Sequence, residues 1–256
     1  MHVALKIEYD GARYSGFQFQ PHSNTIQGEL EKSIFQLTNH KTSILGAGRT
    51  DAGVHAKGQI ISFHINSKYS IHTIVNALNF HLPNDIAVKS ANVVSKEFHP
   101  RKDATSRTYV YTILNSFSRS PLVEYMSHHS SEALKMEIME KSIQKFKGIH
   151  DFELFSGALE DPTASTIREI YNATISRTSD IIKIRIEGSS FLPRQVRRMS
   201  GAILDLGRSK LTTGQFDQLL EVKRTSAVAH ALPSKGLCLE EVKYRNNQFW
   251  DNENGK

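Results

Sequence analysis

Cysteine is nearly missing from this chain, with Cys238 the single one in 256 residues. That excludes an intrachain disulfide framework and every zinc site that needs two thiolates. Long apolar runs are missing as well, and none approaches the roughly 20 residues that a bilayer crossing requires. The opening Met1-His-Val-Ala-Leu-Lys6-Ile-Glu8 places charges where a signal peptide needs its apolar stretch, so a soluble protein of a reducing, cytoplasmic compartment is expected. Acidic residues are the minority charge: 26 Asp plus Glu against 32 Lys plus Arg leaves a formal charge of +6. This basic bias is compatible with a nucleic-acid partner without establishing one. Apolar residues at 39% and charged ones at 23% exclude a disordered chain, and the length suffices for one large domain or two lobes sharing a core.

Several chemical signatures are also absent. The twelve histidines are scattered, with neither His-Glu-x-x-His nor a zinc-deaminase pattern, so no metal is expected. There is no Gly-x-Ser-x-Gly nucleophile elbow. Gly-Lys-Ser/Thr is missing, which removes a phosphate-binding P-loop.

What is present alternates between strand and helix. Val3, Leu5, Ile7 and Tyr9 fall on one face of an opening strand, with Ala4, Lys6, Glu8 and Asp10 on the other. Asn24 and Gln27 can form a capping box for a helix whose stripe is Ile26, Leu30, Ile34 and Leu37. Strands are predicted over 58–65, 86–94, 107–114, 167–176, 181–187 and 237–244, and helices from near Ser70, over 131–147 and near 212–222. Leu192, Val196, Met199, Ile203 and Leu206 mark a further helix, with Pro193 in its first turn. Strands outnumber crossover helices, so an α+β fold with a mostly antiparallel sheet is expected over a doubly wound parallel one.

Three segments carry candidate chemistry. Gly46-Ala-Gly48-Arg49-Thr-Asp51-Ala-Gly53-Val-His55 superficially follows a dinucleotide-binding turn. However, Asp51 stands where the third glycine is wanted, and a strand rather than a helix follows, which argues against a nicotinamide-dependent oxidoreductase. Asp51 in such a loop either makes an Asx turn or presents a carboxylate to a ligand beside Arg49, and spacing alone leaves both open. Tyr109 and Tyr111 share a strand face, as packing residues or as a flat surface for a base. Between Arg185 and Lys210 lie six basic residues (Arg185, Arg194, Arg197, Arg198, Arg208, Lys210) against Glu187 and Asp205. Arg194, Arg197 and Arg198 are spaced to crowd one helix side, so this is either a solvated face or a seat for phosphate or a carboxylate.

Taken together in order, these pieces resemble the bacterial tRNA pseudouridine synthase A family over roughly Val3 to Tyr244. The carrying motifs are Tyr9-Asp-Gly11, Gly16-Phe-Gln-Phe-Gln-Pro21, Gly48-Arg-Thr-Asp51-Ala-Gly-Val-His55-Ala and Leu82-Pro-Asn-Asp-Ile86. Phe98-His-Pro-Arg101, Arg107-Thr-Tyr109-Val-Tyr111, Gly148-Ile-His-Asp-Phe152, Phe191-Leu-Pro-Arg-Gln-Val-Arg197 and Gly236-Leu237-Cys-Leu follow. The resemblance implies a pseudouridine-synthase fold, two α/β lobes around a continuous, mostly antiparallel central sheet. An N-terminal lobe over 1–105 would carry the catalytic Asp loop, and a C-terminal lobe over 106–245 the tyrosine strand and basic helix. A polar tail would occupy 246–256.

The same resemblance implies that Asp51 is the catalytic aspartate, Tyr109 the active-site tyrosine and Arg197 the arginine paired with the aspartate. Arg49, Leu237, Arg101 and Arg198 would contact substrate. The implied reaction isomerises uridine to pseudouridine at positions 38, 39 and 40 of the tRNA anticodon stem-loop, by a homodimer with no cofactor and no metal. Phe17 stands where the family generally has Trp, Arg198 where it commonly has Asn, and Cys238 where Tyr is usual, which leaves the fine substrate contacts open. Two rivals keep parts of this reading: a pseudouridine synthase acting on another RNA site, and a tRNA-binding protein without catalysis. The chemistry matches the residue types. The C1′–N1 bond breaks and C1′ rejoins at C5, so nothing is oxidised. One ionised carboxylate must act at the sugar, and a neighbouring arginine keeps it ionised by lowering its pKa about 1–3 units.

Overall fold

The computed structural model describes residues 1–66, 68–221 and 229–245. Its chain divides into two compact units, Met1–Ser106 with Leu239–Lys256, and Arg107–Cys238.

In the first unit, β1 (His2–Tyr9) is antiparallel to its neighbours, and Val3, Leu5 and Ile7 are fully buried as the alternation predicts. Ala4 is buried too, although Lys6 and Glu8 on the same face are not. Helix α1 (Ile26–Thr38) buries Ile26, Leu30 and Ile34. Its cap differs from the expected Asn24–Gln27 box. Thr25 is the N-cap and accepts from the Gly28 amide at 3.2 Å through its side-chain oxygen, while Gln27 Oε1 accepts from the Phe19 amide at 3.0 Å. A two-residue strand, β2 (Leu45–Gly46), pairs with β3 (His55–His64). Strand β3 starts three residues earlier than its apolar run suggests. Helix α2 (Ile71–His81) has the expected Ser70 cap and buries Ile74 and Leu78. It lies against β4 (Ile86–Val93), where Asn79 both donates to the Val88 carbonyl at 2.9 Å and accepts from its amide at 2.7 Å. Those backbone groups sit on an outer strand and would otherwise lack partners.

The second unit begins within β5 (Ala104–Asn115), which pairs in parallel with β6 (His128–Ser130). Helix α3 (Met136–Ile143) is much shorter than the expected 131–147 helix, because no side chain caps it and a 3-10 turn over Gln144–Phe146 ends it. Then come β7 (Gly148–Asp151), β8 (Ile167–Thr178) and β9 (Ile181–Gly188), paired antiparallel in the order β5-β9-β8-β7. Tyr109, Tyr111 and Ile113 oppose Ile186, Ile184 and Ile182, making a buried apolar face. Phe146, Phe152, Phe155 and Phe216 form a second core, with Phe146 edge-on to Phe155 and Phe216 at 5.5 and 5.3 Å.

Helix α4 (Gln195–Gly207) follows, starting after Pro193 rather than around it. Arg194 is its left-handed N-cap at φ 59° and contributes no capping side chain, so only Arg197 and Arg198 of the expected basic side belong to the helix. Helix α5 (Thr213–Glu221) ends at the edge of the described residues, and Val222 lies outside them. The last strand, β10 (Leu237–Tyr244), ends in the first unit, where the order is β4-β1-β3-β10. The ten strands, nearly all antiparallel, and five helices among the described residues give the expected α+β class. The polar tail over 246–256 lies outside the described residues.

Candidate active site

Within the first unit, the glycine-rich loop after β2 is fixed from below. Its Thr50 is buried, and the Thr50 and Tyr9 hydroxyls share a hydrogen bond of 2.8 Å. The Phe17 amide donates to the Thr50 carbonyl at 3.0 Å. The buried Gln59 of β3 donates from Nε2 to the Gly48 carbonyl at 2.8 Å. Past Asp51 the loop turns, with the Val54 amide on the Asp51 carbonyl at 3.1 Å and the Gly53 amide on the Tyr14 carbonyl at 3.2 Å. Gly16 crosses this turn at φ +104°, and a Cβ there would lie 2.9 Å from the Thr50 carbonyl oxygen. Only glycine satisfies both the conformation and the approach.

The result is an alternation. Gly48 and Thr50 are tethered inward, while Arg49 is exposed and Asp51 half-buried. Beneath the far end, buried His55 places Nδ1 2.9 Å from Asp10 Oδ1 and 3.2 Å from the Gly11 amide. Phe17, where the resemblance implies Trp, is buried and packs over Gly46. Tyr14 donates to Asp85 at 2.5 Å, and Arg13 pairs with the same carboxylate. Burial raises the pKa of Asp85, but these hydrogen bonds and the Arg13 charge outweigh it and hold the group below its ordinary value. Arg101 is exposed in the turn before β5, its amide 3.2 Å from His99 Nδ1.

In the second unit, Tyr109 is 8% exposed and meets Phe191 edge-on at 5.3 Å. Tyr111 is fully buried and donates to the Pro233 carbonyl at 2.7 Å, and its burial raises the hydroxyl pKa. The segment 229–237 therefore runs between the tyrosine strand and α4. Arg197 Nε donates to the Leu232 carbonyl at 2.7 Å, and Arg198 Nη1 to that of Ala229 at 3.0 Å. Gly236 lies against the Tyr111 ring, where a Cβ would approach within 2.7 Å, and it delivers the buried Leu237 into β10. The basic run is partly spent internally: Glu132 takes Lys210 at 2.8 Å and Arg208 at 3.6 Å.

Each unit thus assembles its own share of the sequence-derived residues: Arg49, Asp51 and Arg101 in the first, and Tyr109, Arg197, Arg198 and Leu237 in the second. The supporting groups Tyr9, Gln59, Phe191 and Leu232 were not legible as such. Tyr9 and Phe191 were visible only as members of motifs, and Gln59 only as a polar residue in the strand segment that became β3. Among the described residues no cluster of three or more His, Cys, Asp or Glu could hold a metal ion, and no helix is long and apolar enough to cross a membrane.

The family model described as tRNA pseudouridine synthase matches residues 6–101 and 142–245. With that match the chain belongs to the tRNA pseudouridine synthase family, and it is an isomerase. Its relatives include tRNA pseudouridine synthase A of Geotalea daltonii, 38% identical over 242 residues covering 94% of this chain and 99% of that one. The protein of the same name from Borrelia duttonii is 38% identical, covering 94% and 98%. tRNA pseudouridine synthase A 2 of Bacillus anthracis is 34% identical, again covering 94% and 98%. Among solved structures, a chain of a Cbf5-Nop10-Gar1 complex aligns over 79% of this chain and 54% of its own at 11% identity, with a TM-score of 0.34, too weak a likeness to argue from.

Proposed function

We propose that this protein isomerises uridine to pseudouridine at positions 38, 39 and 40 of the tRNA anticodon stem-loop, as a cytoplasmic homodimer without cofactor or metal. The observation that carries the reading is the match along both halves of the chain to tRNA pseudouridine synthases. The loop that holds Arg49 and Asp51 outward on tethered neighbours supports it.

On this reading Asp51 is the catalytic carboxylate and acts at the ribose, by attack on C1′ or by removal of the 2′ proton. Arg197 pairs with it, the planar guanidinium fork being suited to a carboxylate, and its Nε is held by the Leu232 carbonyl. Tyr109 stacks on the released base or takes the C5 proton after C1′ rejoins at C5. Arg49 occupies the space of the flipped nucleotide and offsets the few kcal/mol that unstacking costs. Leu237 packs near the base, and Arg101 and Arg198 take substrate contacts. The lobe over 1–105 supplies the carboxylate, and the lobe over 106–245 the tyrosine and the arginine. Exclusion of bulk water keeps the severed glycosyl group from hydrolysing.

The test is to incubate the enzyme with an unmodified tRNA transcript carrying uridines at 38, 39 and 40 and map the product. Pseudouridine at those positions is expected. Modification confined to other positions would move the target, and binding without any pseudouridine would leave only an RNA-binding protein.

A further inference from the structure

Strand β3 carries a fully buried glutamine in the stretch Gln59-Ile-Ile-Ser-Phe63, where an aliphatic residue would avoid its desolvation. Its amide nitrogen donates to the carbonyl of Gly48, on the segment that continues β2 alongside β3, three residues before Asp51. Nothing else packs where a Gly48 side chain would begin, since that space is open to 4 Å. The Gly48 carbonyl is held by the Gln59 hydrogen bond, beside the bond from the Ala47 amide to the Ile60 carbonyl at 2.8 Å. On the other side of Arg49, the buried Tyr9 hydroxyl of β1 performs the same task on Thr50. Two polar side chains from adjacent strands thus clamp alternate loop residues, Gly48 and Thr50, while Arg49 between them is exposed and Asp51 beyond them is half-buried.

From this we infer that Gln59 and Tyr9 are positioning residues of the reaction, which fix where the Arg49 and Asp51 side chains stand when the nucleotide arrives. The inference rests on the reading of Asp51 as the catalytic carboxylate. Neither residue touches substrate. Each acts through the loop backbone or Thr50, so its removal lowers the turnover of bound tRNA more than tRNA affinity. A displacement near 1 Å at a reacting group costs on the order of 100-fold in rate.

The experiment measures steady-state kcat and KM on an anticodon stem-loop transcript for Gln59→Met, Tyr9→Phe, Thr50→Val, Thr50→Ser and Asp51→Asn, all in the full-length protein, with thermal unfolding recorded alongside. Gln59→Met keeps the length and removes the donor, and Tyr9→Phe removes only the hydroxyl. The expected result is a fall in kcat of about tenfold or more for Gln59→Met, Tyr9→Phe and Thr50→Val, with KM within about twofold. Thr50→Ser, which keeps the hydroxyl, retains most of the turnover. Wild-type kcat in a folded Gln59→Met or Tyr9→Phe variant, or a loss seen wholly in KM, overturns the inference. If Gln59→Met does not fold, the Tyr9→Phe result and the contrast between Thr50→Val and Thr50→Ser decide it. Asp51→Asn separates the two claims. Turnover by that variant sinks the catalytic reading itself, whereas an inactive Asp51→Asn beside a fully active Gln59→Met sinks only the clamp.

Discussion

Gly16 and Gly236 are each constrained by a neighbour far away in the chain, and each yields a stability prediction. At Gly16 a side chain must adopt a φ of +104° and press on the Thr50 carbonyl, so Gly16→Ala is expected to cost about 1–3 kcal/mol. The strain falls on the loop that carries Asp51, so turnover should drop beyond what the unfolded fraction explains. Denaturant titration and kcat measured on the same sample check both. At Gly236 the obstacle is the fully buried Tyr111 ring, and Gly236→Ala is expected to cost about 1–3 kcal/mol through overpacking. Tyr111→Phe is milder: losing the hydrogen bond to Pro233 leaves one carbonyl unpaired, for about 1 kcal/mol in urea denaturation. The sequence marked both glycines as parts of motifs but could not name what they touch. Each contact joins residues distant in the chain, and spacing carries no such information.

The elements with a long, regular pattern were readable and the short or tertiary ones were not. Strand β1 and helix α2 follow from alternation and a Ser70 cap, both local. Strands β2, β6 and β7 have two to four residues, too few for any period to register. Helix α3 stops at Ile143 although Phe146 continues its stripe, because Phe146 is taken up by the phenylalanine core in a 3-10 turn. Asn24 lost the cap of α1 to its neighbour Thr25, and in α4 the left-handed Arg194 replaced the expected proline start. The Arg49–Asp51 loop stood out through its motif, while the hydrogen bonds beneath it did not, because Tyr9 reads as an ordinary strand residue.

Strand β6 also carries a pH prediction. Burial first, and then the charges of Arg208, Lys235 and His129, lower the His128 pKa from 6.5 to about 4. The unfolded chain therefore binds more protons between those values, and the contribution of His128 to stability is full above pH 6.5 and lost as the pH falls toward 4. Unfolding free energy measured from pH 7.5 to 4.5 should decline less steeply for His128→Gln than for the unaltered protein.

At the scale of the whole molecule, a formal charge of +6 meets a polyanion, and the release of counterions makes affinity depend on salt. Binding of tRNA is expected to weaken by about tenfold or more between 50 and 200 mM salt. Lys210 should contribute little to that slope, because Glu132 already neutralises it, so Lys210→Ala is expected to leave the salt dependence nearly unchanged in a filter-binding titration. On the proposed reading these charges gather the substrate, and the chemistry falls to one carboxylate, that of Asp51. The most direct test of that claim is tritium release from 5-tritiated uridine in an anticodon stem-loop transcript, comparing the unaltered enzyme with Asp51→Asn under saturating RNA. The account predicts release by the unaltered enzyme and a loss of about 1000-fold or more in the variant at similar RNA affinity. Release by Asp51→Asn at a rate near that of the unaltered enzyme would contradict it.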